Sequence, residues 1–225
     1  MWYNRLDVLK FIKDRILLKM NIILHENDIS LDFIKNLNSV AIDTETMGLK
    51  PHRDRLCLIQ LCDSNENCHL VKMKRFDRSP NLRRLFLDEK ILKIFHYARF
   101  DVMMIYKYLG VMTKNIYCTK IASKLSRTYT SSHSLQRLCE ELLNVSISKE
   151  QTCTDWGRDN LLEEQKIYAA NDVLYLHKIK DKLDIMLKRE DRLDLAQKCF
   201  NFLEARVLFD LMAGETYDIF AHHGE

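Results

Sequence analysis

An apolar run that ends in two closely spaced acids constrains this chain more than any other feature. Residues 39–42 lead directly to Asp43 and Glu45, with one residue between the acids. On a β-strand these two side chains share a face, and carboxylates held that close repel each other unless a proton or a cation intervenes. Hard oxygen ligands suit Mg²⁺ or Mn²⁺. The run therefore predicts a buried strand carrying metal ligands; the alternative is a strand end with two solvated acids.

Composition narrows the class of protein without naming a function. The 225 residues, 47% of them hydrophobic and 30% charged, suit one large domain or one domain with a helical appendage. A net charge of +3 permits a polyanionic substrate but does not demonstrate one. Seven cysteines without a Cys-x-x-Cys pair argue against a disulfide framework and a thiolate zinc site. We therefore expect reduced thiols in a cytoplasmic protein.

The beginning of the chain is open to two interpretations. No stretch has the length and apolarity of a membrane span, and charges interrupt the first twenty residues as they would not in a signal peptide. Apolar residues there recur at helical spacing. Residues 1–19 therefore form either an amphipathic helix docked on the domain or an extension that is not native, with Met20 as the start. We favour the extension, and expect residues 20–225 to form a single domain.

Periodicity along the chain predicts an α/β fold in which strands come first and helices follow. A mixed sheet flanked by helices is the expected architecture, with the C-terminal helices packed on the same domain. Strands are predicted over residues 21–25, 39–45, 55–63, 68–71 and 91–95. Helices are predicted over residues 31–37, 81–87, 100–108, 119–125, 134–143, 163–188 and 191–212.

Two further acids and a phenol lie where they could join the first pair. Asp101 falls in the first turn of a helix that follows a strand, at the sheet edge where sites of α/β proteins gather. Tyr168 and Asp172 are four residues apart and share one helix face. Taken singly, each residue also has a purely structural interpretation. Asp101 would complement a helix dipole, and Tyr168 and Asp172 would be polar residues at the margin of the core.

Together the four acids match what two divalent cations need. Asp43 would bridge both ions, Glu45 and Asp172 would complete the shell of the first, and Asp101 would hold the second, partly through water. Tyr168 would orient a water that attacks the terminal phosphodiester, because a neutral phenol is a poor base at pH 7. We therefore count all five residues as candidate catalytic residues.

These motifs resemble those of a known superfamily. Asp43-x-Glu45, Asp101 within His-x-Ala-x-Phe-Asp, and Tyr168-x-x-x-Asp172 are similar to the three exonuclease motifs of the DEDD superfamily, in the tyrosine branch that includes ribonuclease D. The segment 152–158, centred on Asp155-Trp156, resembles one that ribonuclease D enzymes carry before the third motif. The resemblance implies a ribonuclease H-like fold.

We expect the chain to lack the accessory helical nucleic-acid-binding domains of ribonuclease D, because 225 residues leave no room for them. It is more similar to a compact group, nanoRNase C of alphaproteobacteria. Segments that resemble this group lie at residues 51–57, 118–125, 127–130 and 218–222. The resemblance implies a 3′-5′ exoribonuclease that prefers dinucleotides and short RNA, assembled as a homo-oligomer in a closed ring of eight subunits.

Other functions stay open at this point. A broader enzyme would trim structured RNA 3′ ends in the manner of ribonuclease D, or degrade single-stranded DNA. A catalytically inactive nucleic-acid-binding module is a third hypothesis, although such relatives usually lose an acid and here all four are present. A purely structural oligomerisation protein would leave the five polar side chains without a purpose.

Several residues are candidate substrate contacts. Leu49 follows the first motif, where the family places an apolar wedge between bases, although simple core packing is an equal alternative. A basic stretch with interleaved aromatic residues would neutralise a 5′ phosphate, unless it is only the solvated face of a helix. The candidates are Thr44, Leu49, His96, Lys120, Arg127 and His133.

Overall fold

A six-stranded mixed sheet forms the centre of the protein. The computed structural model describes residues 21–147, 155–214 and 220–221. The predictions for residues 1–19, and parts of the segments at 152–158 and 218–222, lie outside the described residues. The strands are β1 (Asn21–Glu26), β2 (Ser39–Thr46), β3 (Leu56–Cys62), β4 (Asn67–Lys72), β5 (Leu92–Phe95) and β6 (Ile116–Cys118).

Strand order in the sheet is β1-β4-β3-β2-β5-β6. The segment β2-β3-β4 is an antiparallel meander, whereas β1 pairs with β4, β5 with β2 and β6 with β5 in parallel. Every residue of β3 is buried, as expected for a strand with both sheet faces covered. β2 lies between β3 and β5; it pairs with β5 over residues 39–42 and with β3 over residues 41–46.

Eight α-helices are described among these residues, and they cover the sheet. They are α1 (Leu31–Lys35), α2 (Pro80–Leu87), α3 (Ala98–Leu109), α4 (Thr119–Ser126), α5 (Leu135–Leu143), α6 (Glu163–Leu174), α7 (Leu176–Arg189) and α8 (Leu193–Ala213). A short 3₁₀ turn spans Phe76–Arg78. The helix α6 packs on β2, β3 and β4, while α3 packs on β2, β3, β5 and β6. The last helix, α8, contacts α3, α4, α7 and β6, so the C-terminal helices do pack on the same domain.

Local sequence explains where several helices begin and end. The hydroxyl of Ser30 accepts the amide of Phe33 at the start of α1, and Ser134 caps α5 in the same way. Gly110 ends α3 with a φ of 69°, a left-handed conformation that glycine adopts without strain.

One expectation about secondary structure was wrong, and one strand was missed. The helix predicted over residues 163–188 is two helices that break at Tyr175. Apolar periodicity hid the break because Val173, Leu174 and Leu176 are all buried on either side of it. The strand β6 was not predicted, since three residues are too few to show a period of two.

No helix in the described part of the chain is both long and apolar enough to cross a bilayer.

Candidate active site

The central strand β2 presents the first pair of acids. Asp43 lies opposite Gln60 of β3, and Glu45 lies opposite Leu58. Gln60 Nε2 donates a hydrogen bond of 3.3 Å to Asp43 Oδ2. Pairing with β3 over residues 41–46 fixes the backbone that carries both carboxylates.

The helix α6 brings a third acid to the pair. One carboxylate oxygen from each of Asp43, Glu45 and Asp172 can be chosen so that all three lie within 4.8 Å of one another. Small residues at 169 and 170, both fully buried, let α6 approach the sheet closely. The structure thus brings together three of the four predicted metal ligands as a three-acid cluster.

Asp101 approaches the cluster from the other side of β2. The register pairs Ile42 of β2 with Phe95, the last residue of β5. The chain then passes through Tyr97, whose φ of 70° is left-handed, and enters α3. Asp101 is buried in the first turn of this helix, and Thr44 Oγ1 donates a 2.7 Å hydrogen bond to its Oδ1. Asp101 is not one of the three acids within 4.8 Å of one another, but its charge reaches them.

Burial and mutual repulsion disfavour the ionised form of these acids when no metal is bound. Burial raises the pKa of Asp43 from 3.8 to about 7, against a lowering contribution from the Thr44 amide. Burial, and then the charges of Asp43, Asp172 and Asp101, raise the pKa of Glu45 well above its usual value. The pKa values of Asp101 and Asp172 are also raised, first by burial and then by Asp43. Desolvated carboxylates that repel one another are the donor set expected of a site for hard divalent cations.

Tyr168 lies beside the cluster as its spacing predicts. Its hydroxyl forms a hydrogen bond with Asp172 that lowers the pKa of that carboxyl, opposing the effect of burial. The centroid of its ring lies 6.0 Å from that of Trp156, with the planes tilted by 41°. The carboxylate of Asp172 therefore holds the hydroxyl of Tyr168, and Trp156 lies beside its ring.

Leu49 lies at the surface, a few positions after the first two acids. Leu49 is 81% exposed and lies in the turn between β2 and β3, which follows the first two acids. Core packing, the alternative interpretation of this leucine, does not apply in this structure.

His96 and Lys120 flank the start of α3. His96 Nδ1 lies 2.9 Å from Thr119 Oγ1, and burial lowers the pKa of the imidazole to about 3, so the ring is neutral. Lys120 Nζ lies 4.4 Å from the centroid of the Tyr97 ring. Both side chains are near the strand-to-helix connection that delivers Asp101.

Two predicted substrate contacts need correction, because their polar groups are engaged inside the protein. Arg127 is completely buried; its guanidinium pairs with Glu141 and donates to Ser123 Oγ at 2.9 Å. Thr44 is buried and gives its hydroxyl to Asp101. These residues organise the structure around them instead of offering free donors to a substrate.

His133 occupies an intermediate position. Its Nδ1 lies 2.9 Å from Ser123 Oγ. Burial lowers its pKa, and the positive charges of Arg127, Lys124 and Lys120 lower it further. Because Arg127 is already paired with Glu141, Lys120 and Lys124 are the cationic side chains near this ring that could attract an anion.

Sequence reasoning missed Gln60 as part of the site. It is fully buried in the middle of an otherwise apolar strand, and its Oε1 has no partner among the described residues. A single amide within an apolar run is the signal that could have identified it. Its role is to donate to Asp43 and so to fix the orientation of that carboxylate.

Comparisons with known proteins agree with this geometry. The family profile described as 3′-5′ exonuclease matches residues 23–188. Ribonuclease D of Desulfotalea psychrophila is 33% identical over 141 residues, which cover 62% of this chain and 37% of that relative. The chain thus spans little more than a third of the length of this curated relative.

Solved structures of a nuclease from Brucella melitensis, NrnC, are similar over nearly the whole chain. NrnC bound to pGG superposes with a TM-score of 0.87 at 44% identity, covering 91% of this chain and 100% of that one. NrnC with bound Mg²⁺ gives a TM-score of 0.86, with the same identity and coverage. These matches confirm the expected ribonuclease H-like exonuclease fold.

Proposed function

Because the chain belongs to the 3′-5′ exonuclease family, in the ribonuclease D-like group with NrnC, we propose that it is a metal-dependent exoribonuclease. It hydrolyses dinucleotides and short oligonucleotides from the 3′ end and releases 5′-mononucleotides. The observation that carries this proposal is the three-acid cluster on β2 and α6, three carboxylates within 4.8 Å of one another. The pGG bound to NrnC supports a short substrate.

Two divalent cations, Mg²⁺ or Mn²⁺, fit the acids present. Asp43, Glu45 and Asp172 would hold one ion, and Asp43 with Asp101 would hold the second. The oxygen-only donor set and the raised pKa values of these acids support the assignment, as does the Mg²⁺ bound to NrnC. When bound, such ions supply charge stabilisation for the attacking and leaving oxygens of a phosphodiester.

The protein's own side chains position the reaction. A tyrosine phenol keeps its proton at neutral pH, so Tyr168 orients an attacking water while its hydroxyl remains bonded to Asp172. Thr44 holds Asp101, and Gln60 holds Asp43, in fixed orientations. The attack breaks the bond between phosphorus and the 3′ oxygen of the preceding nucleotide and leaves the phosphate on the released one.

The proposed substrate contacts are the exposed Leu49 and three partly buried side chains. Leu49 inserts beside a base, and an apolar contact of this kind tolerates every base, as a degradative enzyme requires. His96 before α3, Lys120 in the first turn of α4 and His133 in the loop after α4 lie close enough to interact electrostatically. A 5′ phosphate bound there would favour dinucleotides over longer RNA.

We also propose that residues 20–225 act as a single catalytic domain in the cytoplasm and that the protein forms a homo-oligomer, an octameric ring. Large apolar side chains that are exposed along α8 support association. They include Leu195, Phe202, Leu208, Leu211 and Met212. Light scattering coupled to size-exclusion chromatography measures the mass directly, and a monomeric mass would reject the ring.

The decisive experiment measures substrate length dependence. Purified protein is incubated with Mg²⁺ and end-labelled RNAs of two, five and twenty nucleotides, and the initial rates are compared. We expect the dinucleotide to disappear fastest and Asp43→Ala to be inactive on all three. Equal or faster decay of the longest RNA would reject the dinucleotide preference, and wild-type activity in Asp43→Ala would reject the site.

The same assay tests the other candidates. Faster cleavage of a precursor tRNA, or of a single-stranded DNA oligonucleotide, would favour the broader exonuclease activity. Binding without turnover in Mg²⁺ and in Mn²⁺ would favour an inactive nucleic-acid-binding module.

A further inference from the structure

A buried lysine holds the segment that precedes α6. Lys72, the last residue of β4, is 7% exposed. Its Nζ donates to the backbone oxygens of both Arg158 and Asp159, more than eighty residues away in the sequence. An ammonium group offers three donors and can satisfy two carbonyls at once. The lysine thereby ties the segment 155–161 to the end of a central strand.

Other polar side chains hold the same segment from neighbouring directions. Arg55 Nη2 donates to the Gly157 oxygen at 3.2 Å, and Gln165 Nε2 donates to the Asp155 oxygen at 3.2 Å. Gly157 is tightly enclosed, because a Cβ atom there would lie 2.5 Å from Met47 Sδ and 2.9 Å from Arg55 Nη2. The segment therefore lies against Met47, which follows the β2 acids directly.

The side chain held in place by this arrangement is Trp156. It is 2% exposed and lies in a small apolar cluster with Leu58, Leu70 and Ala169. Tyr168 packs against the same cluster, with its ring centroid 6.0 Å from that of the tryptophan. A shift of the segment 155–161 would move Trp156 and with it the surface against which the Tyr168 ring rests.

We propose that Lys72 is a positioning residue for the exonuclease reaction: through the backbone of residues 158 and 159 it fixes Trp156, and through Trp156 it sets the position of the Tyr168 phenol. This inference rests on the proposed function, because it assigns Lys72 a part in orienting the attacking water. The hydrogen bonds described for Lys72 Nζ go to that backbone, and Lys72 is not one of the clustered acids. Its effect reaches the chemistry only through Tyr168.

Another buried lysine provides a matched control. Lys93, on β5, is fully buried, and its Nζ donates to the backbone oxygen of Asp88, in the loop before that strand. Lys72→Met and Lys93→Met each remove a buried ammonium from a backbone carbonyl. Only the first loosens the segment that carries Trp156.

The test is steady-state kinetics on the dinucleotide pGG with saturating Mg²⁺. We expect Lys72→Met to lower kcat about tenfold with KM little changed, since small misplacement of a catalytic group is costly. Lys72→Arg, which keeps the donors, should recover most of the rate, and Lys93→Met should keep the wild-type kcat. In a Tyr168→Phe background, Lys72→Met should cost less than about twofold more, because both changes act on the same group.

A spectroscopic measurement keeps the inference testable apart from turnover. Trp2→Phe leaves Trp156 as the only tryptophan of the chain. In that background Lys72→Met should shift the emission to longer wavelength and make it easier to quench, and Lys93→Met should not. If Lys72→Met does not fold, Arg55→Gln, which removes the donor to Gly157, takes its place in every measurement.

Three outcomes would overturn the inference: an unchanged kcat in Lys72→Met, full additivity with Tyr168→Phe, or unchanged Trp156 emission. A wild-type protein that cleaves no RNA would instead reject the proposed function. In that case the comparison of Trp156 fluorescence between Lys72→Met and Lys93→Met would by itself test whether Lys72 fixes Trp156.

Discussion

Replacing Asp43 by asparagine should make the metal-free protein more stable while abolishing its response to Mg²⁺. The pKa of this carboxyl rises from 3.8 to about 7 on folding, chiefly because of burial. A rise of that size corresponds to about 4 kcal/mol of destabilisation once the folded carboxyl is ionised. Asparagine has the same shape without the charge, and can still accept the hydrogen bond from Gln60.

The sign of the pH dependence follows from the direction of the shift. The unfolded carboxyl loses its proton near pH 4, whereas the folded one keeps it to about pH 7. The contribution of Asp43 to folding is therefore most favourable below about pH 4, and it is lost as the pH rises through 7. Glu45, Asp101 and Asp172 are shifted in the same direction, so the metal-free wild type should weaken steadily across this range.

Thermal unfolding in EDTA and in Mg²⁺ measures these effects. For a chain of this length 1 kcal/mol changes Tm by about 2–4 °C. Asp43→Asn should then unfold roughly 10 °C above wild type in EDTA at about pH 8, and the difference should shrink at about pH 5. Mg²⁺ should raise Tm for the wild type but not for Asp43→Asn. Asp32→Asn, a change at a side chain that is 86% exposed, is the control and should have no effect in either buffer.

A variant Asp43→Asn that melts at or below the wild-type temperature in EDTA at the higher pH would refute the reasoning. So would a difference that stays constant between the two pH values, because a charge-dependent penalty must titrate.

Three other changes test the site and its support. Tyr168→Phe should lower kcat by about 10²-fold with the Mg²⁺ dependence of Tm unchanged, because it removes only the hydroxyl bonded to Asp172; an activity equal to wild type would contradict the role of the phenol. Thr44→Val removes the donor to Asp101 and should raise the Mg²⁺ concentration needed for half-maximal rate, as measured by metal titration. Arg127→Met should lower the free energy of unfolding by about 2 kcal/mol, as measured by denaturant unfolding. The loss is smaller than for a wholly buried ion pair because the partner, Glu141, is 43% exposed.

Local patterns were enough to predict the acids and the elements that carry them. Asp43 and Glu45 follow an apolar run, and Tyr168 and Asp172 share a helix face; both are short-range relations that a period of two or of 3.6 residues reveals. Strand and helix order then placed the pieces at one sheet edge. The mixed sheet and its helical covering were predicted for the same reason.

Long-range pairing between side chains could not be predicted in this way. The partner of Thr44 is Asp101, 57 residues away, and the carbonyl partners of Lys72 lie more than 80 residues away. The burial of Arg127 depends on Glu141 of the next helix. A single sequence does not show which of many polar residues will meet after folding, so these residues looked like solvated charges or substrate contacts.

The position of Asp172 on α6, far behind the other acids in the sequence, bears on the time at which the protein becomes active during its synthesis. A ribosome adds about 5–20 residues per second, so several seconds separate the appearance of Asp101 from that of Asp172. Until α6 emerges and docks on β2, β3 and β4, the nascent polypeptide lacks the complete set of proposed metal ligands. The metal site of the proposed enzyme is therefore completed only late in synthesis.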